Sequence, residues 1–112
     1  MLGKRTSMLV EQAKPLIAMP TVLFDSGRIP GPRTYCGLVD VTGLRASDRV
    51  IITVQVSLQP DGDLHDVMSM TLGAKDAPVL VIPQTITHGR FAITAQTESG
   101  VPRILTYAVY WS

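Results

Sequence analysis

Asp48-Arg49-Val50-Ile51-Ile52-Thr53-Val54-Gln55-Val56-Ser57-Leu58-Gln59 puts Val50, Ile52, Val54, Val56 and Leu58 on one parity. Ile51, Thr53, Gln55, Ser57 and Gln59 fall on the other. Successive side chains of a strand point to opposite faces, so the spacing describes a long strand with one dry face and one mostly wet face. Pro60-Asp61-Gly62-Asp63 follows as a tight turn, because Pro presets φ and Gly tolerates positive φ. Residues 64–72, with Leu64, Met68, Met70 and Leu72 sharing a parity, then return as the hairpin partner of 50–58.

The same pattern extends outward in both directions. Residues 21–26 read as a short strand. Gly27-Arg28-Ile29-Pro30-Gly31-Pro32 reads as a loop, since two prolines and two glycines cannot sustain a ladder. Residues 33–41 form a strand with Tyr35 and Val41 toward one face and Gly37 at a bulge. Residues 79–82 are an apolar strand stopped by Pro83, with 85–87 as an edge continuation, and 90–97 and 103–111 complete the set. Seven or eight short strands at this spacing indicate an all-β fold, an antiparallel two-sheet β-sandwich, with a small closed barrel as the alternative.

Residues 1–20 lack this alternation and carry three of the five Met and two prolines. They read as an N-terminal arm, extended or with a short helix over 7–14 that Ser7 caps and Pro15 ends. The expected organisation is an arm at 1–20 and a β-sandwich domain at 21–112, the arm docking on its own domain or on a neighbouring subunit. The last strand is apolar on both parities: Ile104, Thr106, Ala108 and Tyr110 alternate with Leu105, Tyr107, Val109 and Trp111. Such a strand is either central in a sandwich or pressed on another chain. Tyr107, Tyr110 and Trp111 are three of the six aromatic residues, and Tyr and Trp are enriched in interface cores.

At 112 residues the chain is one domain with room for a core, and 46% hydrophobic content is too apolar for disorder. Charged residues make up 17%, below the roughly 25% of ordinary globular proteins. Either part of the surface is covered, or a Thr/Ser/Gln-rich skin replaces charge. A net charge of +1 with no basic run beyond Lys4-Arg5 supplies no phosphate-neutralising patch, so no nucleic-acid partner is expected. No stretch approaches the roughly 18 apolar residues of a membrane helix, and Glu11, Gln12, Lys14 and Pro15 interrupt any signal-peptide core. The expectation is synthesis in a cytoplasm with no membrane partner.

The lone Cys36 excludes an internal disulfide and a cysteine zinc cage. It reads as a small buried hydrophobe, with an intermolecular disulfide or a reactive thiol as alternatives. Asp61-Gly62-Asp63-Leu64-His65-Asp66 is the one cluster resembling a metal site, but its spacing is not that of a calcium loop, and a charged hairpin tip has the same composition. His65 and His88 adjoin turns, and no nucleophile elbow or phosphate loop appears. No catalytic residue, metal site or cofactor is assigned, and the chain is not expected to be an enzyme.

Val39-Asp40-Val41-Thr42-Gly43-Leu44-Arg45-Ala46-Ser47-Asp48-Arg49-Val50, continued by Ile52-Thr53-Val54, has a recognisable cadence. So does Gly89-Arg90-Phe91-Ala92-Ile93-Thr94-Ala95, followed after a Gly/Pro turn by Leu105-Thr106-Tyr107-Ala108-Val109. Across residues 33–111 the chain resembles small β-sandwich modules of tailed-bacteriophage virions: capsid decoration proteins, tail-fibre tips and baseplate accessories. Part of the cadence also occurs in fibronectin type III domains, but the tryptophan expected early in that fold is missing. The resemblance implies a virion structural protein that self-associates, with trimers favoured, and attaches to other virion proteins through its arm. Interface residues expected on this reading are Met8, Leu9, Val10, Leu16 and Ile17 in the arm, with Tyr107, Tyr110 and Trp111. The alternative is a receptor- or glycan-binding sandwich module, although loops 27–32, 60–63, 73–78 and 98–102 offer no aromatic platform for a sugar.

Overall fold

The computed structural model describes residues 7–12, 15–27, 33–59, 62–76, 79–87 and 89–112; the side chains of 7, 8, 10–12, 79, 80, 84 and 86 are outside the described set. Among the described residues there are eight strands: β1 (Ser7–Gln12), β2 (Thr21–Asp25), β3 (Arg33–Asp40), β4 (Arg49–Val56), β5 (His65–Gly73), β6 (Val79–Thr87), β7 (Phe91–Ser99) and β8 (Thr106–Trp111). They build two four-stranded sheets, ordered β1-β8-β3-β6 and β2-β7-β4-β5, and every neighbouring pair is antiparallel. Only the β4–β5 hairpin joins consecutive strands within a sheet; every other connection passes from one sheet to the other. That is the eight-stranded jelly roll, the double-sheet solution to closing an antiparallel β domain.

The decisive alternation does what its spacing demands. Val50, Ile52 and Val54 on β4 are buried inward, and β5 lies beside them in the register Val50↔Leu72 and Val54↔Met68. Leu58 does not follow its parity. β4 ends at Val56, where Ser57 N–H turns to the carbonyl of Arg90, and Leu58 is left 78% exposed. The expected turn at 60–63 lies partly outside the described residues.

The two inner faces meet over an aromatic centre. Tyr35 on β3 and Phe91 on β7 stack across the sheets with ring centroids 4.6 Å apart and planes 3° from parallel. Phe24 and Trp111 tilt against them. Tyr107 is buried, and its hydroxyl donates to the carbonyl of Leu23 at 2.6 Å, tying β8 to β2 across the core.

Two local readings are corrected. The short helix over 7–14 is absent: Ser7–Gln12 is a strand on the edge of β8, paired from Ser7↔Trp111 to Gln12↔Thr106. An isolated helix that short is marginal in water, whereas pairing satisfies the open edge of β8 along six positions. Nor does Pro83 end a strand. β6 runs through it, because Tyr35 opposes Thr85 and Gly37 opposes Ile82, so Pro83 and Gln84 together oppose Cys36. Proline survives there because the strand is an edge and the ladder is already broken by the bulge. Gly37 has a separate constraint, since a Cβ on it would lie 2.9 Å from the carbonyl oxygen of Ala108 on β8.

Candidate self-association surfaces

Among the described residues no group of three His, Cys, Asp or Glu side chains converges to hold a metal ion, and no helix is long and apolar enough to cross a membrane. Asp66 of the acidic hairpin is engaged by the Nε2 of Gln55 at 2.8 Å. His65 is exposed at the start of β5, and His88 lies outside the described residues. What the chain offers to other molecules is its sheet faces, one end of the sandwich, and four strand edges.

The outward faces differ in chemistry. On the β2-β7-β4-β5 sheet, Thr53, Gln55, Asp66, Ser69, Thr71 and Gln96 point outward, and Thr53 Oγ1 and Ser69 Oγ lie 3.2 Å apart in a cross-strand hydrogen bond. On the β1-β8-β3-β6 sheet the pairings Cys36↔Tyr110, Leu38↔Ala108 and Leu38↔Val81 make the outward rows apolar. Val81 is 62% exposed there. The charged member of those rows in β3 is Asp40, whose carboxylate accepts from the Thr42 hydroxyl and amide, holding its pKa below the ordinary value. Cys36, expected inside, is half-buried on this outward face as a free thiol, because Tyr35 and Gly37 take the inward parity.

One end of the sandwich is laced together across the sheets. Leu16 N–H donates to the carbonyl of Arg103 at 3.0 Å, and Thr97 N–H to the carbonyl of Ile17 at 2.7 Å. Beneath this lies Asp48, 1% exposed. Its Oδ2 accepts from Arg45 N–H and from Arg103 Nε, both at 2.7 Å, while Oδ1 accepts from Val101 N–H at 3.1 Å. The Arg45 amide first, and the Arg103 guanidinium next, hold its carboxyl below the usual range. Gly100 sits at φ +90° against this carboxylate, where a Cβ would collide with Oδ1. On the outside of the same end Ile17, Met19, Val101 and Ile104 are all more than half exposed.

The residues expected at an interface are therefore divided. Tyr110 is half-buried on the apolar outward face, Leu9 is half-buried on β1, and Ile17 is exposed at the laced end. Leu16 and Tyr107 are buried in the chain's own core, and Trp111 packs beside it. Met8 and Val10 stand opposite Tyr110 and Ala108 in register, but their side chains lie outside the described residues. Sequence reading missed the Asp48 cluster, since Arg103 is 55 positions away and no local spacing joins them.

No protein-family model and no curated protein match this sequence. Among solved structures, the chain is similar to one described in the words "Bacillus endospore appendages form a novel family of disulfide-linked pili". The identity is 9%, the TM-score 0.53, and the alignment covers 96% of this chain and 88% of that one. At that identity the likeness shows a shared fold alone.

Proposed function

We propose that this chain is a non-enzymatic structural subunit that self-associates into a larger protein assembly. The observation that carries the reading is the surface: a sandwich with one outward sheet face largely apolar, in a chain with too little charge to keep every face wet. The fold shared with an appendage protein supports it. Two settings follow from different supports. The sequence cadence favours a bacteriophage virion, as a capsid decoration or tail-fibre component; the fold likeness favours a surface appendage.

The neighbouring pili are described as disulfide-linked. A chain with one cysteine forms at most one disulfide and so joins copies only in pairs. Continuous assembly of this subunit is therefore non-covalent, driven by burial of apolar area at about 25 cal/mol per Å² before the costs of association. Light scattering and negative-stain electron microscopy of the purified chain under reducing conditions test the reading. Ordered oligomers or filaments are expected, and a monomer at every concentration overturns it. A glycan array with specific hits would instead favour the receptor-binding alternative.

A further inference from the structure

We propose that two copies of this chain join side to side through β5, antiparallel and centred on Ser69, so that the β2-β7-β4-β5 sheet continues across a twofold axis into the second copy. The proposal rests on the self-association reading above and names the surface it uses.

Of the four free edges, β5 is the one least defended against a further strand. An edge presents unpaired N–H and C=O groups, and proteins blunt it by shortness, bulges, proline or charge. β2 has five residues and a register break between Val22 and Phe24. β6 carries Pro83 and its bulge, and β1 has six residues including Glu11. β5 has nine residues, with no proline, lysine or arginine. Its one carboxylate, Asp66, is occupied by Gln55, and its register irregularity is confined to the Asp66–Met68 step, leaving 68–73 regular.

The sequence of this edge is self-complementary. In a twofold contact, residue i meets j wherever j meets i. Met68-Ser69-Met70 reads alike in both directions, and the residues on either side, Val67 and Thr71, are both β-branched. Centred on Ser69, Met68 faces Met70 of the second copy on the core side, where both are half-buried. Val67 faces Thr71 of the second copy, a β-branched pair of the kind that packs well across strands. The symmetric pairing ends at the register shift around Val67, and no charged side chains face one another within it.

The area suffices for a specific dimer. A strand of nine residues is about 30 Å long, and the molecule is 20 Å thick along its shortest axis. β6 follows β5 through the short 74–78 connection and forms the other half of the same side wall. That wall offers roughly 600 Å² per copy, or about 1,200 Å² in total, the lower bound of standard specific interfaces.

Ser69 is exposed, so its substitution leaves the fold intact, which circular dichroism checks. Ser69→Lys and Ser69→Glu each place like charges directly opposite across the axis. Each alone is expected to raise the dissociation constant about fivefold or more in analytical ultracentrifugation, and an equimolar mixture to restore association. In a Cys36→Ser background, Ser69→Cys is expected to form a covalent dimer with a short bismaleimide, whereas Thr53→Cys, one strand inside, is not. If the parent chain assembles but neither charge variant weakens it, or Ser69→Cys fails to cross-link, the β5 contact is overturned and the assembly reading stands. A monomeric parent overturns both.

Discussion

Asp48 shows how much one buried side chain can organise. Its carboxylate gathers the 41–48 connection, the turn at Gly100 and Arg103, three pieces that meet only in the folded chain. Asp48→Ala leaves the Arg45 and Val101 amides and the Arg103 guanidinium without their acceptor, and the midpoint of urea unfolding is expected to fall clearly. Gly100→Ala is expected to do the same for a different reason. It combines positive φ with a collision against Asp48, so Gly100→Ala should cost at least about 1 kcal/mol in the same titration.

The sign of the pH dependence follows from the same contacts. Asp48, Asp40 and Asp25 all have folded pKa values below their ordinary ones. For Asp25, partial burial works against this, and the 2.5 Å pair with Arg90 and the Gly27 amide outweigh it. A lowered folded pKa means the stabilisation is present above the ordinary carboxyl pKa, near 3.8 in water, and drains away as pH falls below that value through the folded one. Unfolding midpoints should be flat from pH 7 to about 5 and decline below about 4. Asp48→Asn should start lower and decline less steeply. An equal decline in both proteins would remove Asp48 as a main source of the acid sensitivity.

At the scale of elements, the pairing of β4 with β5 was legible, because period-two alternation is a local signal. The alternation has a testable boundary. Ile52→Ala is expected to cost about 2–5 kcal/mol from the cavity it leaves. Leu58→Ala, the same parity three turns of the pleat later, should stay within about 0.5 kcal/mol, because its side chain is already in water. β1 was not legible. Six residues with Ser, Glu and Gln among them have weak strand preference, and the segment is a strand because β8 supplies an edge and two apolar faces. Sheet order was equally hidden, since crossings between sheets leave no mark that a hairpin turn does not also leave. The apolar last strand was read as either central or pressed on another chain; it is central, between β1 and β3. The Cys36 face became visible only once the inward parity of β3 was known.

For the whole molecule, the question is what residues 1–20 do. As a sequence they read as an arm beside a domain at 21–112. In the fold, 7–12 form the edge strand of one sheet, Leu16 lies fully buried among the core residues, and the backbone around it bonds to Arg103 and Thr97. Thr97 Oγ1 also donates to the Leu16 carbonyl at 2.9 Å, so one short crossing segment closes the end of the sandwich from inside and outside. Removing it takes out the Leu16 side chain, four hydrogen bonds (the fourth from Gln96 Nε2 to the Ala18 carbonyl) and the strand that covers β8. Leu16→Ala alone is expected to cost about 2–5 kcal/mol. The truncation to 21–112 should cost more than that and lower the melting temperature by at least about 10 °C. It should also bare β8, whose Tyr107, Val109 and Trp111 backbone groups would then form a new open edge prone to unspecific pairing. Calorimetry of the full chain, Leu16→Ala and residues 21–112 decides the matter. A truncated chain that melts cooperatively within a few degrees of the full one would make 1–20 an attachment arm; a steep loss would make it part of the domain, and would move the search for attachment residues to the sheet faces and edges.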